Sequence, residues 1–241
     1  KVGSASSRLK FALCLAAMGS NDGYIASTLN DSIGKQGLMS WVLGLHLINN
    51  KIKCDAYSAT DVTSKLISLQ CADGGFAIMG QNGDVDSTAM TLQALAPYYD
   101  SAPAVKSSID KALAFLSEKQ LEGGDYASYG VPNPESCAQV LVALSALGID
   151  AASDERFIKS GAGLFDLADG SFCHNEGGES NGIATVQTFY ALIAYLRFSE
   201  GKDSLYLLDS VYATEEETTV ATEEEKTVIP DETTEIPDEA T

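Results

Sequence analysis

Two carboxylates two positions apart, Asp84 and Asp86, open the run Asp84-Val-Asp86-Ser-Thr-Ala89, and they are the side chains in this chain best placed to do chemistry. A carboxyl group held among apolar side chains and beside a second carboxylate stays neutral near physiological pH and can deliver a proton. A second acidic run, Glu135-Ser-Cys137, has the look of part of a zinc site. Zinc catalysis needs three protein ligands and one open position. The chain has two histidines, His46 on an apolar run and His174 in a glycine-rich loop, and neither sits at the downstream spacing such a set uses. His46 reads as a core or cavity histidine and His174 as an exposed loop residue. The oxygen-rich stretches 82–86 and 169–181 lack the ligand spacing of a calcium loop and read as turns. No metal ligand and no cofactor is expected. The competing reading of the first run is structural: Asp86 caps a helix, and Asp84 is a solvated loop residue.

These residues sit inside a repeat. Leu69-Gln-x-x-Asp-Gly-Gly-Phe76, followed by Asp86-Ser-Thr-Ala-Met-Thr-Leu-Gln-Ala-Leu95, returns as Gln120-x-x-Gly-Gly-Asp-Tyr126 with Glu135-Ser-Cys-Ala-Gln-Val-Leu-Val-Ala-Leu144. A more worn copy joins Ala168-Asp-Gly-Ser-Phe172 to Ala184-Thr-Val-Gln-Thr-Phe-Tyr-Ala-Leu192. The Ala-Leu pairs at 94–95, 143–144 and 191–192 fall 49 and 48 residues apart. A period of that length with two helical patterns per unit implies stacked helical hairpins, because one hairpin cannot bury its own apolar face. The recurring Gly-Gly-aromatic element reads as scaffold, with glycines in a tight turn and Phe76, Tyr126 and Phe172 wedged between hairpins.

Apolar spacing predicts helices over 7–18, 36–49, 58–69, 85–98, 105–119, 134–148, 153–167 and 182–198. Asn133-Pro134 is a helix start and Gly148 a left-handed stop. No segment alternates with period two, so the fold class expected is all-α. Three of the helices (58–69, 105–119, 153–167) carry charge on one side. The other five are nearly free of charge and must be covered on most sides. The expected solution is two layers, the uncharged helices inside and lining a central cavity, the charged ones outside.

The net charge is −19, and residues 213–241 hold eleven carboxylates against Lys226. Low hydropathy, repeated Thr-Glu-Glu-Glu and spaced prolines make 213–241 a disordered linker or stalk beside a 1–212 repeat domain, with further domains expected beyond it. An acidic body without a basic stripe argues against nucleic acid and anionic lipid as partners. No run approaches the ~20 apolar residues of a bilayer span. Lys1 opens no signal peptide, so the chain reads as a mature or excised piece. Five cysteines without Cys-x-x-Cys spacing suggest neither a disulfide framework nor a zinc site. Cys14 and Cys137, on apolar helical faces, read as small core residues.

The Gln-x-x-x-Gly-Gly-Phe unit and its Asp-x-Asp-x-Thr-Ala continuation resemble the terpenoid cyclase and protein prenyltransferase α/α toroid superfamily. Lys35-Gln-Gly, the 90–99 and 135–150 segments and Gly201-Lys-x-Ser-Leu-Tyr206 are similar to secreted surface proteins of Gram-positive gut anaerobes that carry such repeats. The resemblance covers about residues 5–212. It implies an α/α toroid, truncated at its start or incomplete as a barrel, and a secreted or cell-surface location. It also matches Asp86 to the proton donor of squalene-type cyclases, although Ser87 replaces the last aspartate of that motif and aromatic residues are scarce. The Cys-Gly-Glu-Gln signature of thioester domains is absent.

Polar or aromatic residues near the inner-helix starts that do not recur from unit to unit are the ligand-binding candidates: Trp41, Asp84, Asp86, Tyr129, Glu135 and Asn181. The function expected is a non-catalytic binding module for a small molecule, glycan or peptide. The alternatives are a class II cyclase-like enzyme using Asp86 and a purely structural interaction repeat.

Overall fold

The computed structural model describes residues 3–20, 23–128, 130–157 and 170–208. Eight helices are present among them: α1 (Ala5–Ala17), α2 (Gly23–Ser32), α3 (Gly37–Asn49), α4 (Ala59–Ser68), α5 (Val85–Leu95), α6 (Pro103–Lys119), α7 (Pro134–Ala146) and α8 (Gly182–Ser199). The chain is mostly helical, with one short antiparallel pair, β1 (Ala127–Ser128) and β2 (Val131–Pro132). The helix starts are chemically marked. Ser58 and Asp61 form a reciprocal capping box at α4, and proline occupies the first turn of α6 and of α7, where its missing N–H has no partner to lose.

Among the uncharged helices α5 and α7 are covered on nearly all sides, whereas α8, expected inside as well, buries only Ala184, Thr188, Ala191 and Ala194. Helices α1, α3, α5, α7 and α8 form a row in which each touches the next. Helix α2 lies mainly on α1, α4 on α3, and α6 on both α5 and α4. In the row, α7 buries every residue except Glu135 and Ala146, whereas α4 buries Val62, Thr63 and Leu66. Alanine and serine on the row helices, such as Ala89, Ala138, Ala143 and Ser136, let neighbouring backbones approach, and all four are sealed from solvent. Burial of Leu and Val side chains along this row supplies much of the driving force, at about 1.5–3 kcal/mol each.

Several expectations are corrected. Helix α2 has no counterpart among the helices that apolar spacing predicts. Its Ser, Thr, Asn and Asp content is unfavourable for helix, and Ile25 and Leu29, both fully buried, hold it on α1. The expected 85–98 helix ends at Leu95, and Pro97 confines 96–98 to one turn of 3-10 helix. Within the expected 153–167 helix, residues 153–157 do not form helix; the remainder, like the 213–241 tail, lies outside the described residues. Cys14 is exposed on α1 rather than part of the core.

A crossing segment, 203–208, ties the end of the chain's described part back to α3. Asn50 donates from Nδ2 to the Tyr206 carbonyl at 2.8 Å, and its Oδ1 accepts from the Leu208 amide at 2.7 Å. The Tyr206 ring lies 4.4 Å from that of His46, with the planes tilted by 31°. His46 is buried as expected, and burial pushes its imidazole down from 6.5 to about 4. The folded state therefore requires neutral imidazole, while the unfolded chain takes up the proton already near pH 6.5. Stability falls as pH drops from about 6.5 to about 4, by at most roughly 3 kcal/mol from this group, and is unaffected by it below that range. Urea denaturation at pH 7.0 and 4.5 should show this loss in the parent chain. His46→Phe, which keeps a ring against Tyr206, should show a smaller drop; equal drops would mean that His46 is not the group responsible.

Candidate functional site

Each repeat closes with the same set of bonds. The amide of Phe76 donates to Thr88 Oγ1 at 2.8 Å, that of Tyr126 to Cys137 Sγ at 3.3 Å, and that of Phe172 to Thr185 Oγ1 at 3.0 Å. In return, the carbonyls of Phe76, Tyr126 and Phe172 accept from the amides of Asp84, Asn133 and Asn181 at 2.9, 3.1 and 2.9 Å. Those three residues are also the N-caps of α5, α7 and α8. Preceding turns share a left-handed glycine: Gly74, Gly124 and Gly170 have φ of +88°, +95° and +82°. A side chain at Gly74 would also meet the Lys111 carbonyl at 2.8 Å.

This register changes the standing of two candidates. Asp84 and Asn181 are recurring caps, equivalent to Asn133, and not residues peculiar to one unit. The capping role expected of Asp86 belongs to Asp84, whose Oδ1 accepts from the Ser87 amide at 2.7 Å. Cap chemistry varies from Asp to Asn between units, which hides the repetition in the sequence. Cys137 likewise stands where Thr88 and Thr185 stand. Its thiol is buried against the Tyr126 amide, and burial pushes it up to about 11, so the free thiol is a poor nucleophile at neutral pH.

Two residues beyond each cap the units differ: Asp86, Glu135 and Ile183 occupy equivalent positions. Asp86 forms part of the wall of a cavity of about 500 Å³ at the start of α5. Met90, Phe115, Ile78 and Met79 supply its apolar surface, and Asp84, Lys119 and Ser128 polar groups. Gly75 and Gly83 make its shape possible, since a Cβ on either would lie under 3 Å from the other's Cα. Phe115 packs over these glycines, and the Lys119 ammonium sits 5.2 Å from its ring centre.

The Asp86 carboxyl is perturbed by its surroundings. Burial is the main cause that raises its carboxyl above the usual range, and the charges of Asp84 and Glu135 push in the same direction. The hydroxyls of Ser136 and Ser128 oppose them. Even so, Asp86 Oδ1 is sealed from water without a hydrogen-bond partner of good geometry, and so is Ser136 Oγ. An unsatisfied buried acceptor is costly, of order 1–3 kcal/mol or more when charged. Glu135 is held by His174, whose Nδ1 lies 2.9 and 3.0 Å from the two carboxylate oxygens. His174 is exposed as expected, yet it clamps the loop before α8 onto the first turn of α7.

The remaining candidates do not join the site. The Trp41 indole covers Gly34 and meets Tyr57 edge-on at 5.0 Å; it does not line the cavity. Tyr129 lies outside the described residues. The cavity residues not anticipated are Ile78, Met79, Met90, Phe115, Lys119 and Ser128, together with Ser136 behind the carboxyl. Their positions in separate loops and helices left no local signal. No group of three His, Cys, Asp or Glu side chains able to hold a metal ion is present among the described residues. No helix among them is long and apolar enough to cross a membrane. No protein-family model matches this sequence, and no curated protein matches it.

A carboxyl that folding forces upward destabilises the native state while ionised. Asp86→Asn should therefore stabilise the protein at pH 7, by about 0.5–2 kcal/mol, as relief of a strained functional group commonly does. The gain should vanish at low pH, where Asp86 is neutral in both folded and unfolded chains. Thermal melts of both proteins at pH 7 and about pH 3 check this; a destabilised variant at pH 7 would remove the basis for a strained site.

Proposed function

We propose that this chain is a non-catalytic recognition module of α/α-toroid type, secreted or displayed at a cell surface. The Asp86 cavity would take a small amphiphilic ligand or peptide side chain that carries an ammonium group. The observation that carries this reading is the half-buried carboxyl of Asp86, raised by burial and by neighbouring carboxylates, in a cavity wall it shares with Asp84 and apolar side chains. A bound cation would supply the counter-charge that the paired carboxylates lack. Met90, Phe115, Ile78 and Met79 would cover its hydrocarbon part. The row of helices, with α2, α4 and α6 packed against it, and the resemblance of the repeats support the toroid and surface-protein parts of the proposal.

A second reading, a cyclase-like enzyme with Asp86 as proton donor, draws on the same raised carboxyl. The lining disfavours it. Stabilising a carbocation calls for several aromatic faces, and Phe115 is the only ring among the described lining residues.

n-Hexylamine and n-hexanol, matched in length, separate these readings by calorimetry at pH 8. The amine should bind and the alcohol should not, and amine affinity should rise with pH as Asp86 ionises. Asp86→Asn should weaken the amine by about tenfold or more, the range for a lost charge-assisted hydrogen bond. Equal binding of amine and alcohol, or an unchanged affinity in the variant, would rule out recognition through Asp86. Turnover of a polyprene by the parent chain, abolished in Asp86→Asn, would establish the enzyme instead.

A further inference from the structure

Helix α8 ends the row of helices with a face that its counterparts bury. Val186, Phe189 and Leu192 are equivalent to Ala138, Leu141 and Leu144 on α7 and to Ala89, Leu92 and Leu95 on α5, and those six are buried. On α8 the same positions are 67%, 60% and 40% exposed. Ile193 and Leu196 extend the exposed surface along the helix, and Ile183 borders it. The opposite side, Ala184, Thr188, Ala191 and Ala194, is buried, and α7 is the helix in the row that packs on α8.

The exposed positions have a specific spacing. Val186, Phe189, Ile193 and Leu196 follow intervals of three, four and three, the seam of a two-helix coiled coil. Residues 186–196 contain no charged side chain. The seam is also symmetric about residue 191. Laid antiparallel on itself, it sets Val186 against Leu196 and Phe189 against Ile193 in both halves. A two-fold interface demands such self-complementarity, since one patch must fit its own copy.

We infer that the α8 seam is a homodimer interface in which two copies of this chain pack α8 antiparallel, Phe189 of each against Ile193 of the other. Charge supports a self-pairing confined to this place. A chain of net charge −19 repels its copies elsewhere, and this stripe offers contact without like charges. The exposed side chains amount to on the order of 500 Å² per copy, at the upper end of the apolar patches usual on monomers. Pairing them would bury about 1,000 Å² in all, the threshold at which a specific interface becomes stable. The seam is separate from the Asp86 cavity, so the inference stands independently of the function proposed above.

The chain, of 25.4 kDa, should elute with about twice that mass by size exclusion with light scattering, and dissociate on dilution. Phe189→Glu and Ile193→Lys, each alone, should weaken association by about a hundredfold or more, with circular dichroism unchanged because neither side chain is in the core. The double variant Phe189→Glu with Ile193→Lys should recover the dimer. In the antiparallel arrangement the carboxylate introduced at position 189 of each copy faces the ammonium introduced at position 193 of the other, whereas a parallel pair would set like against like. A parent chain that stays monomeric at every concentration would overturn the proposal, as the face would then be covered within its own chain or by another protein. Failure of the double variant to restore the dimer would overturn the antiparallel register.

Discussion

The structure depends on one small exchange of hydrogen bonds made at the base of each repeat. An aromatic residue's amide binds a side chain one turn into the inner helix, and its carbonyl accepts from the amide of that helix's cap. Buried backbone groups must be paired, and this exchange pairs them in a loop that otherwise has no regular structure. It also fixes the height at which α5, α7 and α8 begin. With the entry point set, the helices can run side by side, alanine against alanine, and the amphipathic helices cover them. Gln70 reinforces the arrangement by donating to both the Gly74 and the Ser108 carbonyls, at 2.7 and 2.8 Å, which fastens the turn to α6. Gln120 repeats the first of these bonds at 3.1 Å to Gly124.

A fixed entry point leaves specific positions free to vary. The residue two places after each cap carries no part of the exchange, so it can be Asp86, Glu135 or Ile183 without loss of the fold. The two acidic choices lie in adjacent units and are close enough for Glu135 to raise Asp86. The strain follows from this geometry. Ordinary surface carboxylates would spread into water, but the repeat sets these side by side and covers one of them with Met90 and its neighbours. The scaffold can hold such a group as long as its cost stays below the net stability of the fold, so the carboxyl is retained at the expense of stability.

What was legible in the sequence follows from which signals are local. Most helix spans, and the near-complete burial of α5 and α7, are visible because apolar spacing and charge lie within each helix. Helix α2 is not, since its polar composition argues against helix and long-range packing of Ile25 and Leu29 decides the matter. The site was legible only in part. Asp86 stands out by residue type and Glu135 by its place in the second copy. Asp84 and Asn181 look distinctive until Asn133 is set beside them, when all three become one cap written in two residue types. Trp41 looks distinctive because it is the single tryptophan, yet its neighbours are Gly34 and Tyr57. Phe115 and Lys119 reach the cavity from the end of α6, far along the chain from Asp86, and nothing near them in sequence marks that meeting.

A row of repeats must also solve the problem of its ends, and the first and last inner helices differ. Inside the row the chain covers itself: segment 203–208 crosses to α3, the row's second helix, where the Asn50 amide holds its backbone through both its nitrogen and its oxygen and Tyr206 covers His46. The long polar side chains inside the row are matched to one another, Gln93 to Gln139 at 3.1 Å and Gln139 to Gln187 and Tyr190. On the far side of α8 no described element performs that service. Its buried side repeats the small residues of α5 and α7, but its open side has grown from Ala, Leu and Ser to Val186, Phe189 and Ile193. Enlarging apolar side chains at an edge adds nothing to a free monomer's stability and increases its tendency to associate. Their size and three-four spacing are therefore understandable only if that face is covered by something of matching shape.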